Sequence, residues 1–182
     1  MGKKTWIIFS LIFSIISAIY LLCDYTGLLR YFKICGKNMD DYITKYPSLP
    51  KVDKDRVVVT FYIDDEKQLN NLTPFINSIL NQNVKVDDIA MTIQYKNIDK
   101  VSEELKKIVS VYGISKDYGD NNKLIPTVLR EPEANTKIII VEPMIYHEYF
   151  ISDMVDASNE EPEKIIYGKK GETCYGVLVK TK

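Results

Sequence analysis

The sequence predicts an α/β fold: a mostly parallel sheet flanked by helices and preceded by one apolar N-terminal helix. Two patterns carry that prediction. Short, fully apolar runs recur at Val57-Val58-Val59, Ile89-Ala90-Met91 and Ile138-Ile139-Ile140-Val141, each followed or preceded by an amphipathic stretch. Alternation of this kind is the sequence form of βαβ units, whose strands are buried on both faces. Separately, Trp6 to Cys23 contains no charged residue.

That uncharged run makes a helix of about 27 Å, close to the roughly 30 Å hydrocarbon thickness of a bilayer. Ser10, Ser14 and Ser17 can bond back to their own helix, and Trp6 and Tyr20 lie near its two ends, where amphipathic rings favour the interface. A cleaved signal peptide would have a shorter apolar core and a small-x-small site. A lipoprotein reading fails on Leu22 before Cys23, and myristoylation of Gly2 fails on Trp6. The expectation is a single-pass anchor, residues 1–23, with the lipid bilayer as partner through residues 6–23. Lys3 and Lys4 precede the span while Arg30, Lys33 and Lys37 follow it, so charge leaves its orientation open.

Residues 24–54 read as a stem, punctuated by Pro47 and Pro50 and without a sustained period. The folded domain is expected over residues 55–182. Arg56 to Tyr62 is the first strand. Asp64, Asp65 and Glu66 have the right charge for a helix start, and Leu69, Leu72, Phe75, Ile76, Ile79 and Leu80 form one apolar face of the helix that follows. The sequon at Asn71 falls inside that helix and is followed by Pro74, which argues against its use. Asp88 to Gln94 is the second strand and 99–109 a helix. The apolar run Ile108 to Tyr112 is the third strand and Lys137 to Glu142 the next. A helix over His147 to Val155 and strands over Lys164 to Tyr167 and Cys174 to Lys180 complete the domain.

Composition excludes some classes. With 24 Lys plus Arg against 25 Asp plus Glu there is no bulk field for nucleic acid, and the arginines are few: Arg30, Arg56 and Arg130. Three cysteines, Cys23, Cys35 and Cys174, match no zinc spacing and no disulfide framework; a Cys35–Cys174 bridge and free thiols both remain open. The acidic group Asp153, Asp156, Glu160, Glu161 and Glu163 reads as a solvated face.

Chemistry gathers in Lys116 to Thr127, Lys-Asp-Tyr-Gly-Asp-Asn-Asn-Lys-Leu-Ile-Pro-Thr. A strand emptying into a Gly-containing polar turn and then a helix is where α/β sheets build ligand sites. Gly119 admits φ > 0, Asp117 and Asp120 offer carboxylates, and Lys123 a cation. Turn chemistry alone also accounts for Asp120-Asn121-Asn122.

The stretch Asp117-Tyr118-Gly119-x-x-x-Lys123-Leu124-Ile125-Pro126 resembles a signature of nucleotide-sugar glycosyltransferases of the Rossmann-like GT-A, family-2-like type. Residues 56 to 94, 137 to 151 and 175 to 180 are similar to that family's strands and helix, so the likeness covers about residues 55–182. It implies a transferase that moves a sugar from a nucleotide-sugar donor to a glycan or glycolipid, membrane-anchored as a type II protein with the domain outside the cytoplasm. It implies donor contacts from Thr60, Lys67, Asp117, Tyr118, Gly119 and Lys123. It also implies Mn²⁺ or Mg²⁺ at an Asp-x-Asp motif after the strand at 137–141.

The chain departs from the pattern in three places. The metal motif is reduced to Glu142, followed by Pro143 and Met144. The family's Pro-x-Arg after the first strand is Asp65-Glu66-Lys67 here. No acidic residue follows Glu172, so the acceptor half is expected to be truncated and the general base to lie earlier in the chain or be absent. Glu142 and His147 are the remaining candidates for catalysis, and Glu142 for metal. A catalytically inactive domain that binds sugar nucleotides or protein partners at a membrane is therefore the alternative reading.

Overall fold

The computed structural model describes residues 3–170 and 173–181. It divides into two compact units, Met1–Lys37 and Asn38–Lys182. The first holds α1 (Lys3–Tyr25) and α2 (Leu28–Cys35). Gly27, at φ 75°, makes the turn between them, and the Thr26 hydroxyl caps the end of α1 by donating to the Leu22 carbonyl. Within α1, Trp6–Tyr25 has a mean hydropathy of 2.4 and none of that stretch is buried. A core helix would be covered. This helix is long and apolar enough to cross a membrane, and its whole apolar surface is open.

The second unit carries a six-stranded sheet in the order β3-β2-β1-β4-β6-β5. Its strands are β1 (Val57–Ile63), β2 (Asp88–Gln94), β3 (Ser110–Ile114), β4 (Lys137–Val141), β5 (Ile166–Lys170) and β6 (Thr173–Lys180). The first four run parallel, with Val59 opposite Ile89 and Ile139, and Thr92 opposite Tyr112. β6 returns antiparallel to β4, and β5 antiparallel to β6. The parallel α/β fold expected from the alternating pattern is the fold found. β1 and β4 are largely apolar, Thr60 and Lys137 excepted, because they lie inside the sheet with both faces covered.

Helices α5 (Thr73–Leu80) and α8 (Phe150–Glu160) bring Phe75, Ile76, Ile79, Phe150, Ile151 and Val155 into the core. An aromatic chain crosses it: Phe61 meets Phe75 at 4.9 Å between ring centroids, Phe75 meets Tyr146 at 6.2 Å, and Tyr146 meets Phe150 at 4.3 Å. Gly168 and Gly176 lie beneath the Phe150 ring, where a Cβ on Gly176 would fall 2.7 Å from Cζ. The acidic residues of α8 face water, as their clustering suggested.

Three expectations are corrected. The stretch read as a stem is largely helical, with α3 over Met39–Lys45 and a 3-10 turn over Tyr46–Ser48. Met39 and Tyr42 are buried, Lys51 pairs with Lys85, and the Tyr46 hydroxyl accepts from the Val86 N–H at 2.9 Å. The compact unit thus begins at Asn38. Burial pushes the Tyr46 phenol up to about 12, which keeps it a neutral partner for that amide. Second, the single helix expected from Asp65 to Leu80 is broken into α4 (Glu66–Asn70) and α5, because Pro74 starts a new helix and cannot continue an old one. Asn71 sits in that break, its amide donating to the Lys67 carbonyl. Third, the helix expected over 99–109 shrinks to α6 (Glu103–Lys106), capped by the Ser102 hydroxyl and preceded by a 3-10 turn over Tyr95–Lys100. Cys23 and Cys35 are free thiols; Gly2 and the Cys174 side chain lie outside the described residues.

One buried ion pair ties the amino edge together. Lys137, the first residue of β4, is 2% exposed, and its ammonium meets the Asp53 carboxylate and the side-chain Oδ1 of Asn159, the latter at 2.6 Å. The Asn159 amide donates back to Asp53 at 3.0 Å. Burial would raise the Asp53 pKa, but the hydrogen bonds from Lys137, the Asp55 amide and Asn159 outweigh it and hold it at about 2. Every member of the triad is satisfied, which is the condition for burying charge.

Candidate functional site

The opposite edge of the sheet, where β1 to β4 end, is the general location of ligands in parallel α/β folds. Tyr62 near the end of β1 accepts from the Gln94 amide of β2 at 3.0 Å and donates to Asp64 at 3.3 Å. Burial raises the Tyr62 phenol, Gln94 works against that, and the charges of Asp64 and Asp117 add to the rise. The phenol stays a proton donor at neutral pH, and the Thr60–Lys123 hydrogen bond brings the turn after β3 beside β1.

That turn is shaped from within. Asp117 Oδ1 accepts from the Gly119 N–H and from the Asn122 amide, both at 2.8 Å, and Asn122 Oδ1 accepts from the Tyr118 N–H at 2.8 Å. Those two donors, Asn122 first, lower the Asp117 pKa. Gly119 takes φ 61°, the left-handed conformation for which glycine is suited. The turn runs through a 3-10 segment, Gly119–Lys123, into α7 (Ile125–Arg130).

Two locks fix α7 to the sheet. Thr60 of β1 donates its hydroxyl proton to the Lys123 carbonyl at 3.0 Å, so the proton shared with Thr127 Oγ1 at 2.7 Å comes from Thr127. Arg130 stacks on Tyr112 of β3, its guanidinium carbon 3.2 Å from the ring centroid. Thr60, expected to touch a donor, is fully buried, and its hydroxyl holds the Lys123 main chain. In a strand covered on both faces, a lone hydroxyl among valines must find an internal partner.

From that peg the Lys123 side chain reaches across to β4, where its ammonium pairs with the Glu142 carboxylate. The Lys123 and Glu142 side chains are 30% and 55% exposed, so the pair stands at the open rim. Glu142 is rigid at its backbone: the Tyr146 hydroxyl accepts from the Glu142 N–H and donates to the Glu142 carbonyl, both at 3.0 Å. Tyr146 is in turn bonded through its N–H to Ser78 of α5.

The structure thus brings Asp117, Tyr118, Gly119, Lys123 and Glu142 to one edge. Tyr118 is half-buried with the Lys116 ammonium 5.2 Å from its ring centroid. Lys67 is exposed on α4, after the end of β1. His147 does not join them. Its ring packs edge-on against Phe150 at 5.9 Å and its carbonyl accepts from Gln82, and among the described residues no hydrogen bond or ion pair links it to Glu142. Asn122, Tyr62, Gln94 and Tyr146 were not singled out from the sequence. Asp117-x-Gly119 followed by Asn122 was a readable turn signature; Tyr62 and Gln94 carried only their positions at the ends of two apolar strands.

No protein-family model and no curated protein sequence matches the chain. Among solved structures, a mannosyltransferase from Pyrobaculum calidifontis, PcManGT, in complex with GDP-Man and Mn²⁺, has a similar fold. The TM-score is 0.51 at 14% sequence identity, over 84% of this chain and 46% of that one. This chain therefore spans less than half of the neighbour's length. The fold resembles that of a glycosyltransferase.

A divalent ion of the Mn²⁺ or Mg²⁺ kind asks for several hard oxygens in a defined shell. The end of β4 offers the single carboxylate of Glu142, already engaged by Lys123, and then Pro143 and Met144. Among the described residues no group of three or more His, Cys, Asp or Glu could hold a metal. The residues at this position do not fit such an ion.

Proposed function

We propose that this chain is a membrane-anchored, glycosyltransferase-like protein that takes a nucleotide-sugar donor in the crevice at the carboxyl edge of β1 to β4. The observation that carries the reading is the Lys123–Glu142 pair, which joins the Gly119 turn to the end of β4 across that crevice. The sheet order and the fold shared with a mannosyltransferase support it. The base and ribose would lie toward Tyr62, Gln94 and the Asp117 turn, and the diphosphate toward Lys123. Lys67 and Tyr118 flank that path. A glycan or glycolipid acceptor would approach over Glu142, the carboxylate nearest to the diphosphate and so the candidate general base. The apolar α1 would hold the domain at the bilayer as a type II anchor.

A second reading is favoured by the same pair. A carboxylate occupied by its own lysine is not free to meet an acceptor hydroxyl, so the domain would bind a sugar nucleotide without turning it over. Titration of the full chain in detergent micelles with a panel of sugar nucleotides, followed by assay of donor hydrolysis and transfer, separates the two. Binding with turnover supports the transferase, and binding alone the silent binder. Absence of binding across the panel would sink both.

A further inference from the structure

The misfit between the end of β4 and a divalent ion has a counterpart in the lysine standing there. We infer that the Lys123 ammonium, parked on Glu142, is the built-in cation that meets the diphosphate of a nucleotide ligand, without a metal. The inference rests on the crevice proposed above and specifies how that crevice handles charge.

Four features support it. The Lys123 backbone is pegged by Thr60, and from that fixed point its ammonium reaches Glu142 just past the end of β4. The ammonium is a compact charge with three donors, able to serve a phosphate oxygen in place of, or together with, one carboxylate. Glu142 holds that charge in the free protein at a rim open to solvent, whereas the chemically similar Lys137–Asp53 pair is shut away at 2% and 5% exposure. A diphosphate carries more negative charge than the single carboxylate it would displace, and a divalent ion entering here would meet the repulsion of the lysine instead. With Asp64, Asp117 and Asp120 nearby, binding is expected to be modest and to weaken further without Lys123.

The test is calorimetric titration of the full chain in micelles with GDP and with UDP, once in EDTA and once in excess Mn²⁺. The expected result is equal affinity in both buffers. In EDTA, Lys123→Met should weaken binding about 10- to 100-fold, the loss of a charge-assisted hydrogen bond, and Lys123→Arg should retain most of it. Glu142→Gln should tighten binding several-fold, because the internal competitor loses its charge. Thermal melts of each variant separate a lost contact from a lost fold, and the sign of the Glu142→Gln effect is an independent readout. Binding that appears only with Mn²⁺ and is weakened by Glu142→Gln would make Glu142 a metal ligand; that overturns the inference and leaves the donor-site reading standing. If neither nucleotide binds in either buffer, the donor-site reading falls and takes this inference with it.

Discussion

β4 is bracketed by two lysine–carboxylate pairs of the same chemistry and opposite character. At its start Lys137 is sealed against Asp53 and Asn159; just past its end Glu142 meets Lys123 in the open. Removing water is what separates them. A buried charge deprived of its partner cannot be rescued by solvent, whereas an exposed one can, so the first pair has become part of the fold and the second remains available to a ligand.

The largest test of that contrast is Lys137→Met, which strands the Asp53 carboxylate. A loss of about 3–5 kcal/mol is expected in urea unfolding. Adding Asp53→Asn should restore much of it, since the two positions act as a unit. A loss under about 1 kcal/mol would mean that water reaches the amino edge and the contrast is false.

Acid should probe the same end. The Asp53 carboxyl sits at about 2 when folded, below the ordinary unfolded value near 3.9, so its contribution is present above pH 4 and disappears as pH falls toward 2. About 2 kcal/mol is involved, and Asp53→Asn should flatten that part of the stability–pH curve.

Next comes Thr60→Val, which leaves the Lys123 carbonyl and the Thr127 hydroxyl short of a partner. It should lower stability by about 1–3 kcal/mol and weaken nucleotide binding as well, because the peg under Lys123 is gone. Asn122→Ala should follow, at about 1–2 kcal/mol, by loosening the Asp117 turn. Smallest of all, Lys123→Met or Glu142→Gln should change stability by less than about 1 kcal/mol while altering ligand affinity. A stability loss matching that of Lys137→Met would show that the open pair is structural too.

The two ends of β4 also differ in how far they could be read in the sequence. Strand β2 was legible to the residue, Asp88–Gln94, because an apolar run flanked by polar ends has little freedom in a parallel sheet. β3 slid two residues, from 108–112 to Ser110–Ile114. Its register is set by pairing Ala90 with Ser110, and a local apolar count does not contain that information. The Lys123–Glu142 neighbourhood was within reach because resemblance singled out both residues. The Lys137–Asp53–Asn159 triad was not: 84 residues part Lys137 from Asp53, which lay in a stretch read as stem. Periodicity records which face is apolar. It is silent on which lone polar groups will meet inside, and so the bonds of Thr60 to Lys123 and Thr127 were not legible.

Tyr146 gives the rim a particular tempo. With both main-chain polar groups of Glu142 clasped by one phenol, and that phenol's ring set between Phe75 and Phe150, the segment after β4 is tied to the core. Opening the crevice is left to the four carbons of a lysine stem. Such rotations finish in picoseconds to nanoseconds, against the microseconds or longer of a swinging flap. Ligand capture at this edge should therefore be paced by diffusion and ionic strength, with no slow conformational phase in rapid-mixing traces.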